Sequence, residues 1–253
     1  MIRRRGISYL LAAACCLAAL AILVLSPAAW VVHAYAFGFG LFAVALAQAL
    51  EGLSRDPSPM VLVITGIVVS ALFRAGLSFI MYLANPYDQL TQIVFWTMGS
   101  FHTASWAKLE MVSYIILPGL FLMILFAWRL NLMTLDDDEA RTMGMNTLGF
   151  RIFYILVSTL MVASAVASVG TIAWVGLIVP HMARLMAGPE YRRLIPATAL
   201  GGGIFLMVMD SLARSLMLSE IPISIVTSLV DAPFLEFLVI RAGKKRRRLD
   251  PGA

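Results

Sequence analysis

Four consecutive acidic side chains, Asp136, Asp137, Asp138 and Glu139, stand inside one short run, "TLDDDEARTMGMN" at residues 134–146. Carboxylates crowded in this way can favour the positive end of a helix dipole or steer a protein partner onto the segment. Other reactive or ligating side chains are scattered. His33, His102 and His181 stand in neither HxxxH nor HxxE spacing, so no metal site is expected and no cofactor is implied. There is no G-x-x-x-x-G-K-[ST] run to cradle phosphate, and neither GxSxG nor HExxH is present, so nucleotide chemistry and intramembrane hydrolysis are not expected of the chain itself. The 15 methionines are read as packing residues rather than copper or haem ligands. Cys15 and Cys16 are adjacent in an apolar run, report no disulfide framework, and are read as packing residues too. Charges inside apolar runs are costly enough to be functional candidates, and Arg74, Asp231 and Glu236 qualify.

The elements that must carry these residues follow from composition. Hydrophobic residues make up 61% of the 253 and charged ones 13%, with a mean hydropathy of +0.90. A soluble core of this size cannot hide so much apolar surface, and apolar runs long enough to cross a bilayer recur along the chain. The expected spans are residues 7–32, 35–50, 60–83, 111–128, 150–168, 172–187, 195–217 and 222–240, about eight in all. Backbone groups in hydrocarbon must be satisfied within their own segment, and no apolar/polar alternation typical of a membrane β-barrel is present. The expected fold class is therefore all-α: a single polytopic transmembrane helical bundle over 1–253, with a short basic tail at 241–253. The first run follows Arg3, Arg4 and Arg5 as a signal peptide would, but lacks a clear small-residue cleavage site and is counted as a span.

If the spans alternate, one side receives the N-terminus and the segments around 51–59, 129–151, 184–193 and 241–253. That side collects all but three of the lysines and arginines; Lys108 and Arg214 fall opposite, and Arg74 lies within a span. The positive-inside rule makes the basic side cytoplasmic, with both termini inside. The tail "KKRRR" at 244–248 is read as a topology anchor touching anionic membrane lipid, not as a nucleic-acid site. The acidic run is then cytoplasmic, where lipid headgroups do not favour it, and a protein partner becomes the better reading. Locally, Thr134 with Asp137 fits a capping box, the acidic residues occupy the first helical turn, Ala140 and Met143 share a face, and Gly144 supplies a stop. The expectation is a short amphipathic helix, a glycine break, and a continuation from Asn146 into the next span. By itself such a segment is either a solvated loop helix or a docking element.

Residues 170–196 read "GTIAWVGLIVPHMARLMAGPEYRRLIP", and here the chain closely resembles the FecCD-type permeases, membrane subunits of ABC importers for iron chelates, haem and cobalamin. Their glycine, aromatic, then GLxxPHxxRxxxGxxxRxxxP is matched by Gly170, Trp174, Gly176, Leu177, Pro180, His181, Arg184, Gly188, Arg192 or Arg193, and Pro196. The family's "EARxLG" stands as "EARTMG" at 139–144. Its "DxxAR", "E(L/I)P" and "T…APF" stand as Asp210, Ala213, Arg214, Glu220, Pro222, Thr227 and "APF" at 232–234, and "FWTMGSF…ASW" at 95–106 is similar to the segment after the family's fifth helix. Two features depart from the pattern. The family's first two helices and the "NPLAxP" loop have no counterpart ahead of "GIS" at Gly6–Ser8, which leaves a misassigned start or a truncated, transport-incompetent remnant as readings; and Asp231 replaces the usual glycine before "APF".

The resemblance implies a type II importer permease in a bacterial or archaeal cytoplasmic membrane. It would work as a homodimer around a central pathway, with two ABC ATPase subunits inside and a periplasmic or lipid-anchored substrate-binding protein outside. It assigns ATPase docking to the segment Asp136, Asp137, Asp138, Glu139, Ala140, Arg141, Met143, Gly144 and Met145, with Met143 and Met145 as adaptable apolar contacts. Arg184, Arg192 and Arg193 are a second contact or a positive-inside anchor. Arg214 is implied to meet the binding protein, with an i,i+4 pair to Asp210 as the plain alternative, and Glu220 joins that surface or solvates its loop. Ser58 and Pro59 fall at the family's cytoplasmic gate, although "DPSP" suits any tight loop. Arg74 falls on a pathway-lining helix, where it attracts an anionic chelate, pairs with a carboxylate, or snorkels. His181 is expected to hydrogen-bond across a helix bent at Pro180. The chelate itself is not legible, since carriers of haem, siderophores, cobalamin and molybdate share these motifs.

Overall fold

The computed structural model describes residues 35, 38–43, 45–46, 49–50, 59–102, 104–135, 137–172, 174–216, 221–230 and 233, and every regular element among them is helical. In chain order these are α1 (Pro59–Leu83), α2 (Gln89–Met98), α3 (Trp106–Leu125), α4 (Ala127–Leu132), α5 (Asp137–Thr142), α6 (Thr147–Val169), α7 (Val175–Ala187) and α8 (Tyr191–Ser215). A helical stretch over 223–230, α9, follows.

Among the described residues, α3, α6, α8 and the Ile64–Leu83 part of α1 are long and apolar enough to cross a membrane. They correspond to the expected spans at 111–128, 150–168, 195–217 and 60–83. α3 starts earlier than expected because Ser105 caps it, its Oγ accepting from the Lys108 N–H at 3.4 Å. The expected span at 172–187 is revised. α7 has 13 residues, or about 20 Å at 1.5 Å per residue, against a hydrocarbon core of about 30 Å. The expected span at 7–32 lies outside the described residues, and those at 35–50 and 222–240 are described only in part.

Contacts distant in sequence define two ends of the bundle. At one end the Tyr154 hydroxyl of α6 donates to the Phe126 carbonyl below α3 at 2.7 Å, and the Tyr191 N–H that opens α8 donates to Asn131 Oδ1 of α4 at 3.0 Å. Arg129, Arg151, Arg192 and Arg193 gather there, so it is the basic end. At the opposite end the Ser100 N–H donates to the Val169 carbonyl at 2.9 Å, and the Ile223 N–H to the Gly99 carbonyl at 3.2 Å. α3 and α6 therefore run antiparallel, α6 rising from the basic end and α8 rising from the same end against α3.

Packing follows the same division. Met123, Leu130, Tyr154 and Val157 form a buried cluster at the basic end. Met209, Ala213, Ile223 and Val226, flanked by Phe101 and Ile172, form another at the opposite end. Between them Gly119 of α3 lies so close to α6 that a Cβ there would meet Met161 Cγ at 2.6 Å. α7 lays Ile178, Val179 and Ala183 against α8, where Gly201 and Gly202 face Val179. α1 packs Val69 and Phe73 on Ala43 of the 38–50 stretch, and Ile80 and Ala84 on Ile93 of α2.

Candidate functional site

The acidic segment sits at the basic end, between α4 and α6. Its entry differs from the expected capping box. The Thr134 hydroxyl donates to the Asn131 carbonyl at 2.7 Å and its N–H to the same oxygen at 3.2 Å, so Thr134 closes α4. A serine or threonine hydroxyl competes for carbonyls three residues back, and here that bond wins over capping the next helix. α5 begins at Asp137; Asp136 lies outside the described residues, as do the side chains of Asp137, Asp138 and Arg141.

The exit is built as the glycine stop requires. The Met145 N–H reaches back to the Ala140 carbonyl at 3.2 Å, and Gly144 between them has φ +77. This six-to-one bond across a left-handed residue is a Schellman turn, which satisfies a carbonyl at the helix end and brings apolar neighbours together. A Cβ at Gly144 would meet nothing, so glycine is needed there for its dihedral, not for space. The turn buries Ala140 and Met145 against the body, while Met143 is 64% exposed. That corrects the expected shared face of Ala140 and Met143, because the chain reverses after Thr142. Among the described residues of the segment, Glu139 is an exposed acidic side chain and Leu135 and Met143 are exposed apolar ones. Asn146 then caps α6, its Oδ1 accepting from the Gly149 N–H at 3.0 Å.

Three links that local pattern did not predict seat this segment. Besides the Tyr154 and Asn131 hydrogen bonds, the Arg129 guanidinium lies 4.2 Å from the Phe150 ring centroid. Trp128 and Phe126 also lie near it, and Phe126, Phe150, Phe153 and Tyr154 pack edge to face on one another.

α7 carries the glycine, proline and histidine motif. Trp174 precedes it in the left-handed region, φ +67, and Gly188 ends it at φ +82, its N–H donating to the Arg184 carbonyl at 3.1 Å. Gly176 is exposed, with open space where a Cβ would stand. Pro180 lies inside the helix. His181 is half-buried and forms no hydrogen bond among the described residues, so the expected bond across the bend is not made there. Arg184 is exposed in the last turn, where a cation complements the helix dipole. Arg192 and Arg193 are exposed beyond it, and Arg193 pairs loosely with Glu190 at 3.6 Å.

At the opposite end Arg214 Nε donates to Asp210 Oδ2 at 2.9 Å, with both side chains partly exposed. The intrahelical pair anticipated as an alternative is thus formed. Arg74 is exposed on α1, which Pro59 opens. Ser58, Glu220, Asp231 and Glu236 lie outside the described residues. The acidic segment and the Arg184 to Arg193 group share the basic end; Arg214 does not join them.

Comparison with known proteins places these features in context. The model of the FecCD transport family matches residues 6–241. The molybdate import system permease protein MolB of Haemophilus influenzae is 38% identical over 205 residues, covering 81% of this chain and 60% of that protein. The hemin transport system permease protein HmuU of Yersinia pestis is 37% identical over 186 residues, covering 73% of this chain and 55% of that protein. The chain thus spans less than two thirds of the length of these relatives. A solved structure described as an inward-facing ABC transporter of metal-chelate type superposes with a TM-score of 0.86 at 34% identity, covering 93% of this chain and 76% of that one.

Proposed function

The chain belongs to the FecCD transport family, and from that premise we propose that it serves as the membrane permease subunit of an ABC importer for a metal chelate, driven by ATP hydrolysis in a separate subunit. The observation that carries this reading is the likeness, over most of this chain, to proteins named as permeases of import systems, joined to a short helix at the basic end that bears an exposed Glu139. The basic end faces the cytoplasm, as the lysine and arginine asymmetry favours. α5 meets the ATPase there: Glu139 and its acidic neighbours steer a basic surface, and Met143 supplies an apolar contact.

Two copies enclose the pathway, with two ATPases below and a binding protein above, and Arg74 faces the route of an anionic chelate. Arg214 remains half exposed at the outer end, so its pairing with Asp210 leaves it able to meet a carboxylate of the binding protein, with Glu220 nearby in sequence. The names of the relatives, molybdate for one and hemin for another, support a small metal-bearing cargo without choosing among cargoes.

The test is ATP-driven uptake in proteoliposomes containing the permease, its ATPase and its binding protein, probed separately with hemin, molybdate and a ferric siderophore. Accumulation of one probe that needs ATP is the expected result. An assembled complex that hydrolyses ATP yet accumulates none would overturn import of this class. For docking, Asp138→Lys with Glu139→Lys is expected to lower ATPase co-purification about tenfold by reversing the local charge, with membrane insertion unchanged; undiminished co-purification sinks the assignment to α5.

A further inference from the structure

Arg129 lies near the end of α4, the short helix that leads into the acidic segment. Its guanidinium carbon sits 4.2 Å from the Phe150 ring centroid on α6, 5.0 Å from that of Trp128 and 6.0 Å from that of Phe126. Its Nε is buried and has no hydrogen-bond partner among the described residues. A donor withdrawn from water without a hydrogen bond is costly, and the faces of the neighbouring rings are what offset that cost here. The attraction between a cation and a ring depends on the cation staying over the face, so the contact holds α4 to α6 in one relative position.

Two more links restrain the same segment. The Tyr154 hydroxyl holds the Phe126 carbonyl just before α4, and Asn131 within α4 holds the Tyr191 N–H of α8. α5 follows after a short turn, with Ala140 within it and Met145 just beyond it buried. A force applied at the exposed side of α5 therefore reaches the long helices through the α4 joint and through the start of α6.

We propose that Arg129 is a positioning residue that stiffens this joint, so that displacement of α5 by the ATPase moves α6 and α8 together instead of being absorbed between α4 and α6. The proposal rests on the reading of α5 as the ATPase-docking helix. Arg129 acts through Phe150.

The experiment uses the complete importer in proteoliposomes and reads cargo taken up per ATP hydrolysed. Arg129→Met keeps an unbranched side chain and removes the cation. The ATPase is expected to co-purify as before and hydrolysis to stay within about twofold, while uptake per ATP falls about tenfold. Phe150→Leu, which removes the ring face, reproduces that loss; Phe150→Tyr, which keeps it, stays within about twofold of the parent. The Arg129→Met/Phe150→Leu double variant is no worse than either single, as two changes that remove one shared contact require.

Unchanged uptake per ATP in assembled Arg129→Met overturns the proposal. So does a tenfold loss in Phe150→Tyr, an additive double variant, or a parallel loss of assembly, hydrolysis and uptake in every variant, which marks a general folding role. If Arg129→Met does not fold, the contrast between Phe150→Leu and Phe150→Tyr decides by the same readings. The docking reading fails separately, by ATPase retention in Asp138→Lys/Glu139→Lys, and that outcome leaves the Arg129 ratio measurable.

Discussion

The two ends of the bundle are joined by different materials. At the basic end, side chains do the joining: Arg129 over Phe150, the Tyr154 hydroxyl on a carbonyl, and Asn131 on an amide. At the opposite end, backbone meets backbone. Gly99 and Gly170 both have positive φ, a Cβ on Gly99 would overlap the Thr171 carbonyl, and one on Gly170 would overlap the Trp96 carbonyl. The Thr171 hydroxyl bonds the Thr97 carbonyl, and Ser224 bonds Thr171 in turn. At the basic end the joint is as stiff as the side-chain contacts that make it and loosens when one is removed, whereas a glycine crossing with no room for a methyl group admits one arrangement. The contrast assigns removable stiffness to the basic end and fixity to the other.

Substitutions at the two ends should separate these behaviours. The largest expected effect is Gly170→Ala, which meets both a left-handed dihedral and the Trp96 carbonyl; a loss of about 3 kcal/mol or more is expected, read as a large fall in thermal stability in detergent. Stability close to the parent would mean that the crossing yields, and the contrast would be gone. Next is Gly144→Ala at the basic end, where only the dihedral is strained and space is open, with a cost of about 1 kcal/mol in the same assay. A cost equal to that of Gly170→Ala would show that the space argument is empty.

Tyr154→Phe removes one hydrogen bond and leaves the ring in place, while the Phe126 carbonyl keeps the Arg129 N–H at 3.0 Å, so about 1 kcal/mol is expected. Smallest is Arg193→Ala. Its pair with Glu190 is exposed and long, and a shift within about 0.5 kcal/mol is expected. A larger shift would give the basic end an electrostatic frame beyond the aromatic one described.

What could be read from sequence was what lipid dictates. α1, α6 and α8 were located within a few residues because a helix facing hydrocarbon must stay apolar along its length. α7 was counted as a span for the same reason: Ile172 and Trp174 continue the apolar run ahead of it, and hydropathy does not mark the helix start at Val175. Gly144 was legible as punctuation because positive φ selects glycine. Thr134 was misread because its hydroxyl donates back to the Asn131 carbonyl instead of accepting from the next helix, and the shared face of Ala140 and Met143 because a Schellman turn redirects the chain in a way that helical periodicity cannot follow. Arg129, Asn131 and Tyr154 were not singled out at all. Their roles rest on partners 28 and 60 residues away for the two hydrogen bonds, and such pairings have no local signature.

Gly119 sets a mechanical limit on whatever motion the bundle performs. Met161 fills the notch left by its missing side chain, with Sδ 2.8 Å from where a Cβ would be, so α3 and α6 are indexed against each other like a key in a slot. Sliding one past the other along the membrane normal would drive the thioether into a side chain on either flank of the notch. The notch thus opposes sliding more than it opposes tilting.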